Sequence, residues 1–131
     1  MTRLMIALCL TLAACVSTPG EDPLTRRLIG AKVIYDLPEG SEGPPRSQTW
    51  AADGTTVFDR GAGLFGGLDH GRWEVRGSRY CSDFADKPRP PAEWTCWRVA
   101  LSDQGRRIRF TEITGEWIPL FQREYEGEFA E

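Results

Sequence analysis

Little in this chain suits it for acid–base or nucleophilic chemistry. One histidine, His70, occurs in 131 residues, and no G-x-S-x-G elbow surrounds any serine. A nucleophile activated by a neighbouring base has almost nothing to be built from. Positive charge is not in excess either: 16 lysines and arginines face 19 acidic residues, a net charge of −3. Such a surface offers no general attraction to nucleic acid or to anionic lipid. Long apolar runs are missing as well. The run from Leu4 to Leu12 is far short of the about 20 residues that a membrane-spanning helix needs. No internal repeat is evident.

What is present begins at the N-terminus. Arg3, the apolar run Leu4–Leu12 and the small pair Ala13-Ala14 have the layout of an export signal. Leu12-Ala13-Ala14-Cys15 resembles the lipobox of bacterial lipoproteins at all four positions. That resemblance implies cleavage after residue 14 and lipidation of Cys15, the new N-terminus. Several acyl chains anchor durably where one alone gives only marginal membrane binding. The expected location is the cell envelope, lipid-anchored. Val16, where an aspartate would retain the chain at the inner membrane, implies the outer membrane facing the periplasm. Removal of residues 1–14 leaves 117 of the 131 residues, and the loss of Arg3 takes the net charge to −4. Residues 15–22 read as a tether and 23–131 as a single domain.

Cys9 departs with the signal and Cys15 takes the lipid, so Cys81 and Cys96 remain. In an exported chain two cysteines read as one disulfide. Closing a loop of about 15 residues contributes roughly 3 kcal/mol by the chain-entropy argument. With His70 they are too few to hold a metal, and no cofactor is expected.

Asp22-Pro23 reads as an N-cap followed by proline at the first helical position, opening a short helix that Gly30 ends. The remainder reads as strands and turns. Gln48–Ala52 and Thr55–Asp59 flank Asp53-Gly54, a two-residue hairpin signal that sets Trp50 opposite Val57 and Thr49 opposite Phe58. Gly77-Ser78 joins a second hairpin, with Val75 opposite Tyr80 and Cys81 opposite Glu74. Alternation turns Trp97, Val99 and Leu101 one way and Cys96 and Arg98 the other. The disulfide is therefore expected as a surface staple across the Pro-rich loop Lys87–Pro91. Later strands are expected at 106–113 and 116–121, with a frayed acidic end from Glu124. About seven short strands with turns every 8–12 residues predict an all-β fold, a small antiparallel meander closed as a barrel or packed as a sandwich. Trp50, Trp73, Trp97, Val99, Ile108 and Phe110 supply its core row. Whether they fill the interior or leave it hollow is not decided by the pattern.

Gly61-Ala62-Gly63-Leu64-Phe65-Gly66-Gly67 contains G-x-G-x-x-G after a strand, with Asp83 about 20 positions on, as a dinucleotide fingerprint requires. The motif fails on context. Gly66, Gly67 and Gly71 leave no room for the helix whose N-terminus would take the pyrophosphate, so no nucleotide is expected. Leu64 and Phe65 then stand at a loop tip. They either fold back over the barrel end or form a contact loop for a ligand or partner. Asp69-His70 is expected in the same loop as solvated residues. Arg98, Arg107 and Arg109 are expected on the outer face, balanced by Glu74 and Glu112.

The pattern "QTWAADGTTVFD…GRWEVRGSRYC…WTCWRVALSDQGRRIRF" resembles small exported proteins of alphaproteobacteria with domains of unassigned function. It implies a lipocalin-like barrel and no activity. A weaker resemblance is to lipoprotein-type inhibitors of lysozymes or proteases, none of whose inhibitory loop residues is found. The expectation is a non-catalytic envelope lipoprotein binding a protein partner or a small apolar ligand. An inhibitor of a lysozyme or exported protease is the alternative.

Overall fold

The computed structural model describes residues 22–113 and 123–131. A short helix, α1 (Pro23–Leu28), precedes eight strands: β1 (Lys32–Tyr35), β2 (Ser47–Trp50), β3 (Thr55–Asp59), β4 (Leu68–Arg76), β5 (Arg79–Asp83), β6 (Thr95–Ser102), β7 (Arg107–Glu112) and β8 (Glu124–Phe129). Each strand pairs antiparallel with the next, and β8 returns to β1 to close a barrel. The fold is the all-β meander read from the sequence, in its closed lipocalin-like form. The strand expected at 116–121 lies outside the described residues, as do Cys15 and the signal segment.

Asp22 caps α1 by accepting from the Thr25 backbone N–H at 2.9 Å, and Pro23 occupies the first turn. The helix lies across one end of the barrel. Leu28 is fully buried in the core, and Arg27 sets its guanidinium 3.5 Å from the centroid of the Phe129 ring. Up-and-down connectivity gathers the tight turns 51–54, 77–78 and 103–106 at this end. The longer connections 36–46, 60–67 and 84–94 gather at the other.

Two expectations about the strands are corrected. Trp50 faces Thr56, Thr49 faces Val57 and Gln48 faces Phe58, one residue away from the register that a two-residue turn dictates. The Gly54 N–H donates to the Ala51 carbonyl at 3.2 Å, and the Ala51 N–H to that of Thr55. With Gly54 at φ +87°, this is a three-residue loop with a glycine bulge. Asp53 fixes it by accepting from the Thr55 N–H and hydroxyl at 2.9 and 2.6 Å. A one-residue slip exchanges faces, so Thr56 and Phe58 turn inward in place of Val57.

The C-terminal segment is also not frayed. Tyr125, Gly127 and Phe129 alternate inward on β8, while Glu124, Glu126 and Glu128 stand outside. Opposite them on β7, Arg107 bridges Asp36 and Glu126, and Arg109 bridges Glu124 and Glu126. Arg107 and Arg109 of the arginine stripe are thus balanced by β8 and Asp36, whereas Glu74 pairs with Arg76 and Glu112 with Arg123. A run of acidic residues became a strand because its alternate positions are apolar or glycine and its carboxylates meet arginines across the ladder.

The cross-strand pairs Val75–Tyr80 and Glu74–Cys81 stand as expected. Cys81 and Cys96 are directly opposite one another and form a disulfide. The bond lies outside the barrel core but is not a bare surface staple, because Cys81 is 0% exposed. Nearby on the same outer face stands Trp94, whose ring lies beneath the guanidinium groups of both Arg72 and Arg76.

Candidate functional site

Among the described residues the barrel is filled at one end and hollow at the other. Leu28, Trp50, Trp73 and Ile108 pack the end beside α1. Trp73 is tied to that end by its indole N–H, which donates to the Ala51 carbonyl at 3.1 Å. Val99, expected in the same row, is partly buried and packs against the cluster. Toward the long loops the described residues leave an open cavity of about 510 Å³. Its walls are aromatic: Tyr35, Phe58, Phe84, Trp97, Phe110 and Tyr125. Pockets of this size, largely apolar with a few placed polar groups, are the common form of small-molecule sites.

The polar groups form one connected network at the bottom of the cavity. The Tyr35 hydroxyl donates to Gln48 Oε1 at 2.7 Å. Gln48 Nε2 donates to Thr56 Oγ1 at 2.9 Å and to the Tyr80 hydroxyl at 3.2 Å. The Trp50 indole N–H donates to the same Tyr80 hydroxyl at 2.9 Å, and Thr56 donates to the Thr49 carbonyl at 2.7 Å. Gln48, Thr56 and Ser82 are buried with the tyrosines. Burial pushes the Tyr80 phenol up to about 12 and raises Tyr35 well above its ordinary value, so both hydroxyls are neutral hydrogen-bonding groups at physiological pH.

Charge at the mouth is paired. Arg60 meets Asp69 at 3.3 Å. Arg123 meets Glu112 at 2.6 Å and lies over the Trp97 ring, and Arg89 meets Asp83 at 2.9 Å. Asp83 does most to build the wall. Its side chain is 1% exposed and accepts from the backbone N–H groups of Ala85 and Arg89 and from the guanidinium groups of Arg72 and Arg89. These bonds pin the start of the Pro-rich loop, whose Phe84, Ala85 and Arg89 line the cavity. The backbone N–H of Arg89, with Arg72, Ala85 and the Arg89 side chain, holds the Asp83 carboxyl far below the usual carboxylate range.

Glu112 and Glu126 are lowered too, by hydrogen bonds from Arg123 and Arg109 respectively. Carboxyls whose folded values are depressed stabilise the fold above their unfolded values, about 4, and lose that contribution as pH falls through the folded ones. The urea midpoint is therefore expected to hold from neutrality to about pH 5 and to fall progressively below about pH 4. An acid-insensitive midpoint would contradict these pairings.

Gly71 shapes the same wall. A Cβ there would stand 2.7 Å from Phe84 Cδ1 and 2.8 Å from the Asp83 carbonyl oxygen. Gly71→Val is expected to cost about 1–3 kcal/mol, as overpacking does, and to displace Phe84 from the cavity. Urea titration and the Phe84 ring resonances would report both effects.

The other residues singled out by sequence fall outside the cavity or only at its edge. Asp69 and His70 are on β4, which begins at Leu68 and not near Arg72. Asp69 lines the mouth. His70 alternates to the outer face and is exposed, so the two side chains do not form a pair. The Gly61–Gly67 segment is a loop leading into a strand, with no helix. Leu64 and Phe65 are 92% and 85% exposed, so the tip does not fold back over the barrel end. Among the described residues no group of three or more His, Cys, Asp or Glu could hold a metal ion, and no helix is long and apolar enough to cross a membrane.

Gln48, Tyr80, Asp83 and Tyr125 were not singled out by sequence as site residues. One signal was available for Gln48, which stands two residues before Trp50 and so takes a polar amide onto the core face. Among the described residues the arrangement defines a class: a small lipocalin-like barrel with one plugged end and one open, aromatic-walled, charge-paired end. No family model, curated protein or solved structure matches this chain.

Proposed function

We propose that this protein is a lipid-anchored cell-envelope lipoprotein whose barrel binds a small, largely apolar molecule at its open end, in a non-catalytic role. The cavity of about 510 Å³ with seven aromatic residues in its described lining carries this reading. The start of the described chain is compatible with it: residue 22 leads into α1 at the plugged end, opposite the mouth.

The test of the anchor is fractionation of cells expressing the full chain. The wild type should sediment with membranes and yield a Cys15 peptide carrying acyl mass, whereas Cys15→Ala should be released to the soluble fraction. Membrane retention of Cys15→Ala would overturn the anchor. For the cavity, the polarity-sensitive fluorophore Prodan should bind at one equivalent with blue-shifted emission.

A second reading, inhibition of an envelope-directed lysozyme or protease, draws on the exposed Leu64 and Phe65 beside the mouth. It requires inhibition at micromolar concentration that Leu64→Ser with Phe65→Ser abolishes.

A further inference from the structure

The hydrogen-bond network at the bottom of the cavity has a direction that its geometry fixes. Thr56 spends its proton on the Thr49 carbonyl, so it must accept from Gln48. That turns Gln48 Nε2 toward Thr56 and Tyr80, and Oε1 toward Tyr35. Tyr35 must then donate to Oε1. Tyr80 receives one bond from Gln48 and one from Trp50, whose indole nitrogen can only donate. Both lone pairs of the Tyr80 oxygen are therefore taken, and its own proton is left over.

Ser82 stands two residues along β5 and lines the same cavity. Among the described residues the Tyr80 hydroxyl donates no hydrogen bond, so it turns one unspent donor to the cavity, with the Ser82 hydroxyl in the same lining. A buried donor without an acceptor is costly, and a ligand that supplies the acceptor relieves that cost.

The mouth adds a second constraint. Among the described residues the charged side chains that line it, Asp69, Arg89 and Arg123, already have opposite charges at 3.3, 2.9 and 2.6 Å. A charged ligand would be desolvated there without a free counter-ion, which is unfavourable.

We propose that the cavity selects an uncharged, ring-containing compound that ends in a carbonyl-type acceptor, which docks on the unspent Tyr80 hydroxyl with its apolar body between the aromatic walls. This rests on the reading of the cavity as a ligand site.

The test compares three naphthalene probes on the purified barrel by fluorescence titration. Prodan is neutral and bears a ketone, 2-(dimethylamino)naphthalene is neutral and lacks it, and 1-anilinonaphthalene-8-sulfonate is anionic. Prodan should bind on the order of tenfold more tightly than the ketone-free analogue, the worth of about one hydrogen bond, and more tightly than the sulfonate. Its carbonyl stretch should move to lower frequency on binding. Tyr80→Phe with Ser82→Ala should erase the preference for the ketone, and His70→Ala, on the outer face, should keep it. Should the double variant not fold, the probe comparison and the carbonyl stretch on the wild type decide alone. Equal binding of the two neutral probes, an unshifted carbonyl, or tighter binding of the sulfonate would overturn the donor assignment while leaving the cavity reading intact. Failure of all three to bind would remove the cavity reading and this inference with it.

Discussion

Replacing Trp50 with alanine is expected to lower the unfolding free energy by about 3–5 kcal/mol, the range for truncating a buried large aromatic. Trp50 is 2% exposed, stacks on Phe110 with ring centroids 6.2 Å apart and donates its indole N–H to Tyr80. Its removal opens a void under the polar network and takes away one of the donors that orient Tyr80. A domain of this size has about 5–15 kcal/mol in total, so the variant should lose a large share of its stability. Urea unfolding followed by far-ultraviolet circular dichroism gives the number. Trp50→Phe retains most of the packing but loses the donor and should fall between the two. An alanine variant within 1 kcal/mol of the wild type, a loss usual at the surface, would mean that Trp50 does not support the network from below.

Removing the disulfide has the second largest expected effect. Cys81→Ala with Cys96→Ala opens a loop of 15 residues, worth about 3 kcal/mol on the chain-entropy model. The loop it closes contains Phe84, Ala85 and Arg89, which line the cavity. The loss should therefore appear twice, in the urea midpoint and as weaker Prodan binding. Asp83 still pins the start of this loop in the variant, so binding should weaken rather than vanish. If stability falls while binding is unchanged, the wall is held by Asp83 alone. If neither changes, the disulfide has no part in the fold's stability.

The barrel was legible because alternation, turn chemistry and cysteine spacing all pointed the same way. The Gly77-Ser78 turn set the pairing of Val75 with Tyr80, and from there the pairing of Cys81 with Glu74. The departures have local causes. Asp53-Gly54 read as a two-residue turn because that dipeptide favours one, but Gly54 forms a bulge and moves β3 by one residue, bringing Thr56 and Phe58 inside. The acidic tail read as frayed because its charges hide an inward row of Tyr125, Gly127 and Phe129. The arginines that neutralise it lie on β7, and only pairing reveals them.

The site itself was scarcely legible. Its network joins Tyr35, Gln48, Trp50, Thr56 and Tyr80 from four strands, none of which carries a motif. Asp83 drew notice only for its distance from the glycine run, whereas its role is to order the six residues that follow it. The glycine run is a surface loop whose apolar tip, Leu64 and Phe65, stays in solvent beside the mouth. Alternation along one strand tells which way a side chain points. It does not tell that the aromatic side chains at one end of a closed barrel leave room between them.

The most direct test of a ligand site at the open end is an amide and side-chain NMR titration of the full barrel with Prodan. The account predicts saturable shifts concentrated at the Gln48 side-chain amide, Phe58, Tyr80, Ser82 and the Trp97 indole, with Trp73 and the 77–78 turn at the plugged end unmoved. Shifts confined to Leu64 and Phe65, or spread evenly over both ends, would contradict it.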